Sequence, residues 1–196
     1  MAKCPLDKRH NGTFCGISPG GGYGIWSEYQ LGAQRIAEET HCILGSLNKK
    51  TLGSAVERGH ITEELNLIKK DIDEYSRNIY LKPFFYGNRL HEKKKEIFKE
   101  IKKNSEKLLK KAKKELKALS DCPLEYKRKG LVNVAEKCYL LLIELARSMK
   151  YSVETDDNIN AFSSKRLRRC VRELENSINK MYRNENRTLT DGLLWR

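Results

Sequence analysis

LHEKKKEIFKEIKKNSEKLLKKAKKELKAL, residues 90–119, holds no Gly or Pro and reads as one helix of about eight turns. Its apolar residues Leu90, Ile97, Ile101, Leu108, Ala112, Leu116 and Leu119 recur at steps of three, four or seven, which is the spacing of a single stripe. Almost everything else is charged: His91 to Leu119 holds 12 Lys against 5 Glu. Glu92 with Lys95, Glu96 with Lys99 and Glu106 with Lys110 are spaced to pair one turn apart. Lys102, Lys111, Lys113, Lys114 and Lys117 are left over. A Lys-rich face is often no more than a solvated one. Here the rest of the chain repeats the imbalance instead of offsetting it.

Working outward, residues 61–184 carry 30 Lys/Arg and 19 Asp/Glu, so +11 of the formal +13 belongs to this region. A chain of 196 residues with a pI near 9.5 suits one domain with an appendage. It should attract polyanions, nucleic acid before an anionic membrane. No apolar run reaches membrane-spanning length, and Met1-Ala2-Lys3-Cys4-Pro5 lacks the apolar core of a signal peptide. The expectation is a cytoplasmic protein with six Cys as reduced thiols or metal ligands, not disulfides.

Residues 1–60 read as a loop-rich N-terminal unit with one or two helices. Pro19-Gly20-Gly21-Gly22-Tyr23-Gly24 signals a turn, and Ser27 to Gln30 fits a capping box for a helix running to about Leu47. Gly59 looks like a stop. Thr62 is placed to cap the next helix, whose stripe is Leu65, Ile68, Ile72, Tyr75 and Ile79, with Pro83 ending it and Phe84-Phe85-Tyr86-Gly87 as an aromatic corner. Ser120-Asp121-Cys122-Pro123 ends the lysine helix. Leu131 to Met149 is apolar nearly all round, which puts it at the centre of a bundle. Glu154 to Asp157 reads as an acidic loop. Ser163 or Ser164 then caps a last helix with Leu167, Cys170, Val171, Leu174, Ile178 and Met181 inward. The predicted fold is all-α: an up-down four-helix bundle over residues 61–184, the smaller N-terminal unit, and a polar tail at 185–196. Apolar surface on every helix points to a homo-oligomer.

Cys4, His10 and Cys15 have metal-ligand chemistry, and His41-Cys42 offers a fourth ligand in Cys42, so zinc is the candidate metal, although the spacing departs from the common paired patterns. The Gly20 to Gly24 run lacks the Gly-Lys-Ser/Thr of a phosphate-binding loop. His10, His41, His60 and His91 lie in unrelated contexts, and no Ser-nucleophile motif is present. The strongest signal is therefore positive charge: Lys102, Lys103, Lys110, Lys113, Lys114 and Lys117 on the lysine helix, Lys127-Arg128-Lys129 after it, and Lys165, Arg166, Arg168, Arg169 and Arg172 on the last helix. Phosphates need positive charge and little else, so salt-sensitive binding with weak sequence preference is expected. Aromatics are not interleaved with these runs, which favours backbone recognition, RNA before DNA.

Residues 140–150 (LLLIELARSMK), 162–167 (FSSKRL) and 174–181 (LENSINKM) resemble a family of small bacterial four-helix bundles. That family includes the 23S ribosomal RNA intervening-sequence proteins and the accessory variability protein of diversity-generating retroelements. Residues 47–79, with Gly59-His60-Ile61-Thr62-Glu63-Glu64, resemble the same helix–loop–helix ending. Where such relatives end near Gly and Trp, this chain has Met181-Tyr182-Arg183. The resemblance implies a basic, non-catalytic, ring-forming bundle that, in the retroelement case, binds a reverse transcriptase and its RNA. The reading is a nucleic-acid-binding accessory subunit. The alternatives are a protein-interaction bundle and a zinc-dependent nucleic-acid enzyme.

Overall fold

The computed structural model describes residues 4–7, 25–47, 52–77, 88–155 and 161–193. The regular structure among them is helical: α1 (Ile25–Ser46), α2 (Ala55–Arg77), α3 (Asn88–Ala118), α4 (Leu124–Arg128), α5 (Leu131–Thr155) and α6 (Ala161–Leu193). Short 3-10 turns span Pro5–Asp7 and Leu119–Asp121. The all-α expectation holds. No helix among the described residues is long and apolar enough to cross a membrane.

α5 is the hub, as its apolar circumference requires. From Leu131 to Val153 only Asn133 and Arg147 are exposed. α1, α3, α4 and α6 all pack on it. Its apolar surface is thus covered within one chain, and the exposed large apolar residues Val56, Leu67 and Leu124 lie on other helices.

The ring of four helices is not the expected one. α1 packs on α2, α2 on α6, α6 on α5, and α5 on α1. Paired residues give the directions. Arg35 meets Asp71 and Glu74, so early α1 lies beside late α2. Lys69 meets Glu175 while Arg168 meets Asp73, and Lys137 meets Glu173 while Arg166 meets Glu144. Each neighbouring pair with such contacts runs antiparallel. The lysine helix α3, expected inside the bundle, instead lies outside this ring on the flank of α5. It has only one apolar stripe, enough for one neighbour, whereas α1 buries Ala33, Ile36, Ala37, Ile43 and Leu44 and takes the ring position.

Several boundaries shift accordingly. The division expected at residue 60 falls inside α2, and α1 shares one core with the later helices. Gly59 does not stop α2: one Gly costs about 1 kcal/mol, less than burial of Ile61, Leu65, Ile68 and Ile72 returns. Ser54 rather than Thr62 caps this helix, accepting from the Glu57 N–H at 3.2 Å. The Thr62 hydroxyl donates back to the Arg58 carbonyl at 2.8 Å, as a mid-helix Thr does. α1 starts at Ile25, ahead of Ser27, because no breaker separates Gly24 from the capping box. α5 absorbs Glu154 and Thr155, α6 starts at Ala161 with Ser163 and Ser164 buried in its first turn, and α6 runs through most of the expected tail to Leu193. Ile79, Pro83 and the aromatic corner at residues 84–87 lie outside the described residues.

α4 is a five-residue helix that the charge pattern alone did not suggest. Gly130, at φ +75°, turns the chain from α4 into α5: its N–H donates to the Lys127 carbonyl and its carbonyl accepts from the Val134 N–H. This left-handed backbone favours glycine.

Candidate nucleic-acid interface

α3 carries 13 Lys/Arg and five Glu, a net +8 out of the chain's +13. Its buried residues Ile101, Asn104, Ser105, Leu108, Ala112 and Glu115 lie three or four apart, except for the adjacent Asn104 and Ser105, and face α5; Leu119 of the following turn continues the stripe. Asn104, Ser105 and Glu115 belong to this stripe although their types hide it, while Leu116 is only half-buried. Leu90 and Ile97 carry no side-chain description. With Ile101 at 0° and roughly 100° per residue, every exposed lysine from Lys102 to Lys117 falls on the opposite arc. Lys103, Lys110 and Lys117 form its crest, seven residues apart. Lys102 and Lys113 fall on one flank, Lys107 and Lys114 on the other. Glu106 is the single exposed carboxylate between residues 101 and 119.

These seven lysines are uncompensated. Among the described residues none has a carboxylate within 4 Å, and the pair expected between Glu106 and Lys110 is not made. Glu115 cannot help, because it is buried beside Tyr139. Burial and that carboxylate push the Tyr139 hydroxyl far above its usual range.

The second expected basic cluster behaves differently. Arg168 donates to Asp73 of α2 at 2.9 and 3.0 Å, Arg169 to Glu173 at 2.9 Å, and Arg166 lies 3.6 Å from Glu144 of α5. Glu173 is held below the usual carboxylate range by hydrogen bonds from Arg169 and Lys137. These arginines are therefore not free cations: Arg166 and Arg168 bridge α6 to α5 and α2, and Arg169 pairs within α6. Arg172 donates to the Arg168 carbonyl at 3.4 Å, and Lys165 is exposed. After α3, Lys127 donates to the Ser120 carbonyl at 3.0 Å and Lys129 pairs with Glu125 at 2.7 Å, leaving Arg128 as the α4 cation directed to solvent.

The expected metal set loses one of its four members. Cys4 forms a disulfide with Cys122, and both are buried. A sulfur so bonded is not a thiolate ligand. This also corrects the expectation of six reduced or metal-bound thiols. Cys42 is exposed on α1; His10 and Cys15 lie outside the described residues. No group of three His, Cys, Asp or Glu among the described residues is placed to hold a metal ion. The disulfide was illegible in the sequence because the partners are 118 residues apart. No family model, no curated protein and no solved structure matches the chain.

Proposed function

We propose that the protein is a non-catalytic nucleic-acid-binding bundle that grips the phosphate backbone through α3. One observation carries this reading: the seven exposed lysines between residues 101 and 119 share one helix face with a single exposed glutamate, Glu106, while Arg166, Arg168 and Arg169 of α6 are paired with carboxylates. A face that served only solubility would tolerate compensation; natural surfaces usually intersperse both signs. Recognition by such a face is electrostatic and carries little sequence information. A role as accessory subunit beside a reverse transcriptase rests on the family resemblance alone.

Two sets of four substitutions test the reading. Lys110, Lys113, Lys114 and Lys117 replaced by Gln keep helix propensity nearly unchanged and remove four charges. Fluorescence anisotropy with labelled 20-mer duplexes at fixed salt should show at least a tenfold loss of affinity with an unchanged helical signal. Arg166, Arg168, Arg169 and Arg172 replaced by Gln remove the same charge, yet should weaken binding far less. If both sets weaken binding equally, net charge alone governs and the α3 interface is wrong. If neither does, the interaction-bundle alternative gains.

A further inference from the structure

We infer that α3 is a ridge that enters the major groove of B-form duplex DNA, contacting the phosphates on both of its walls. The inference rests on the phosphate-gripping reading above and names its substrate class.

The first support is the shape of the charge. A flat anionic surface meets only the crest of a helix, here Lys103, Lys110 and Lys117. The flanking Lys102 and Lys113 on one side, and Lys107 and Lys114 on the other, would point along that surface. A groove presents phosphates to both flanks at once. The four flank lysines are exposed, and no carboxylate among the described residues lies within 4 Å of them.

The second support is position. Among the described residues α3 packs on α5 and the turn that follows it, with no comparable contact to α1, α2 or α6. Nothing described therefore walls in the lysine arc. A helix with its side chains is about 10–12 Å across, and the B-form major groove is about 12 Å wide. Lys102 to Lys117 spans roughly 22 Å along the axis, two-thirds of a duplex turn.

The alternatives fit less well. The major groove of A-form RNA is deep and narrow and does not admit a helix. Single strands are held by exposed aromatic rings, and the one aromatic described on α3, Phe98, is half-buried against the core. A helix lying in a membrane interface inserts its apolar face, but the apolar face of α3 is spent on α5.

The test uses the full chain, disulfide intact. Anisotropy is measured against 20-mer duplex DNA, duplex RNA of the same sequence, single-stranded DNA, and duplex DNA whose major groove carries glucosylated hydroxymethylcytosine. The proteins compared are wild type, a flank variant (Lys102, Lys107, Lys113 and Lys114 to Gln) and a crest variant (Lys103, Lys110 and Lys117 to Gln). The expected result is at least tenfold preference for duplex DNA over duplex RNA and single strands. Glucosylation should cost at least tenfold, and the flank variant should lose at least as much as the crest variant. Equal affinity for the two duplexes, indifference to glucosylation, or a flank variant that binds like wild type each overturns the groove inference and leaves phosphate binding standing. No salt-sensitive binding to any of the four overturns the reading beneath it. The glucosylated duplex keeps the test decisive even if a variant misfolds.

Discussion

Single residues carry opposite instructions according to their backbone. Gly130 sits at φ +75°, where a Cβ would also meet Met181 at 3.7 Å. Gly130→Ala should cost about 1–2 kcal/mol. Gly59 lies inside α2, and an alanine Cβ there would meet nothing within 4 Å, so Gly59→Ala should stabilise by roughly 0.5–1 kcal/mol. Urea titrations of the two variants should therefore shift in opposite directions. Glu39 gives a pH signature. Burial first, then Asp71 and Glu64, pushes its carboxyl up to about 8 against the opposing pull of Arg35. Arg35 is held by Asp71 at 2.7 Å and Glu74 at 3.4 Å, and His60 lies 3.7 Å from Glu64. The folded state keeps a proton that the unfolded chain releases near its ordinary value. The contribution is whole below about 4.5, is lost as pH rises toward about 8, and is flat above. Glu39→Gln should flatten the fall of melting temperature between those values, by a margin of roughly 1–2 kcal/mol after discounting for partial exposure.

At the scale of elements, periodicity served well wherever apolar side chains made the stripe. α5 read as central because its leucines run all round, and it is central. The inward faces of α2 and α6 held for Leu65, Ile68, Ile72, Leu167, Val171, Leu174 and Ile178. It served less well where polar residues were buried: Asn104, Ser105 and Glu115 sit in the α3 stripe because α5 meets that arc, and no local pattern says which arc it meets. Boundary signals failed for a related reason. A Gly or a Thr weighs at most about 1 kcal/mol, and long-range burial across α1, α2 and α6 outvotes it. The candidate site was half legible. The lysine content of α3 is written in the sequence; the pairing of Arg166 and Arg168 is not, because Glu144 and Asp73 are close only after folding.

The whole molecule is stapled as well as packed. The disulfide joins the turn near the N-terminus to the corner after α3 and closes a loop across 118 residues. Chain entropy for such a loop is worth up to about 4–5 kcal/mol, and measured disulfides more often give about 2–4. Adding reductant should lower the melting temperature, and Cys122→Ser should match the reduced protein with no further response to reductant. The staple holds the end of α3, so the lysine face is presented by a fixed scaffold. This face, rather than total charge, is proposed to bind phosphate, and the slope of log affinity against log salt for duplex DNA tests it. Wild type should give a steep slope, and the slope should be shallower by up to ~3.6 when Lys110, Lys113, Lys114 and Lys117 become Gln, at ~0.9 per phosphate released. The same slope in both proteins, or wild-type affinity no tighter than about 100 micromolar at physiological salt, would contradict it.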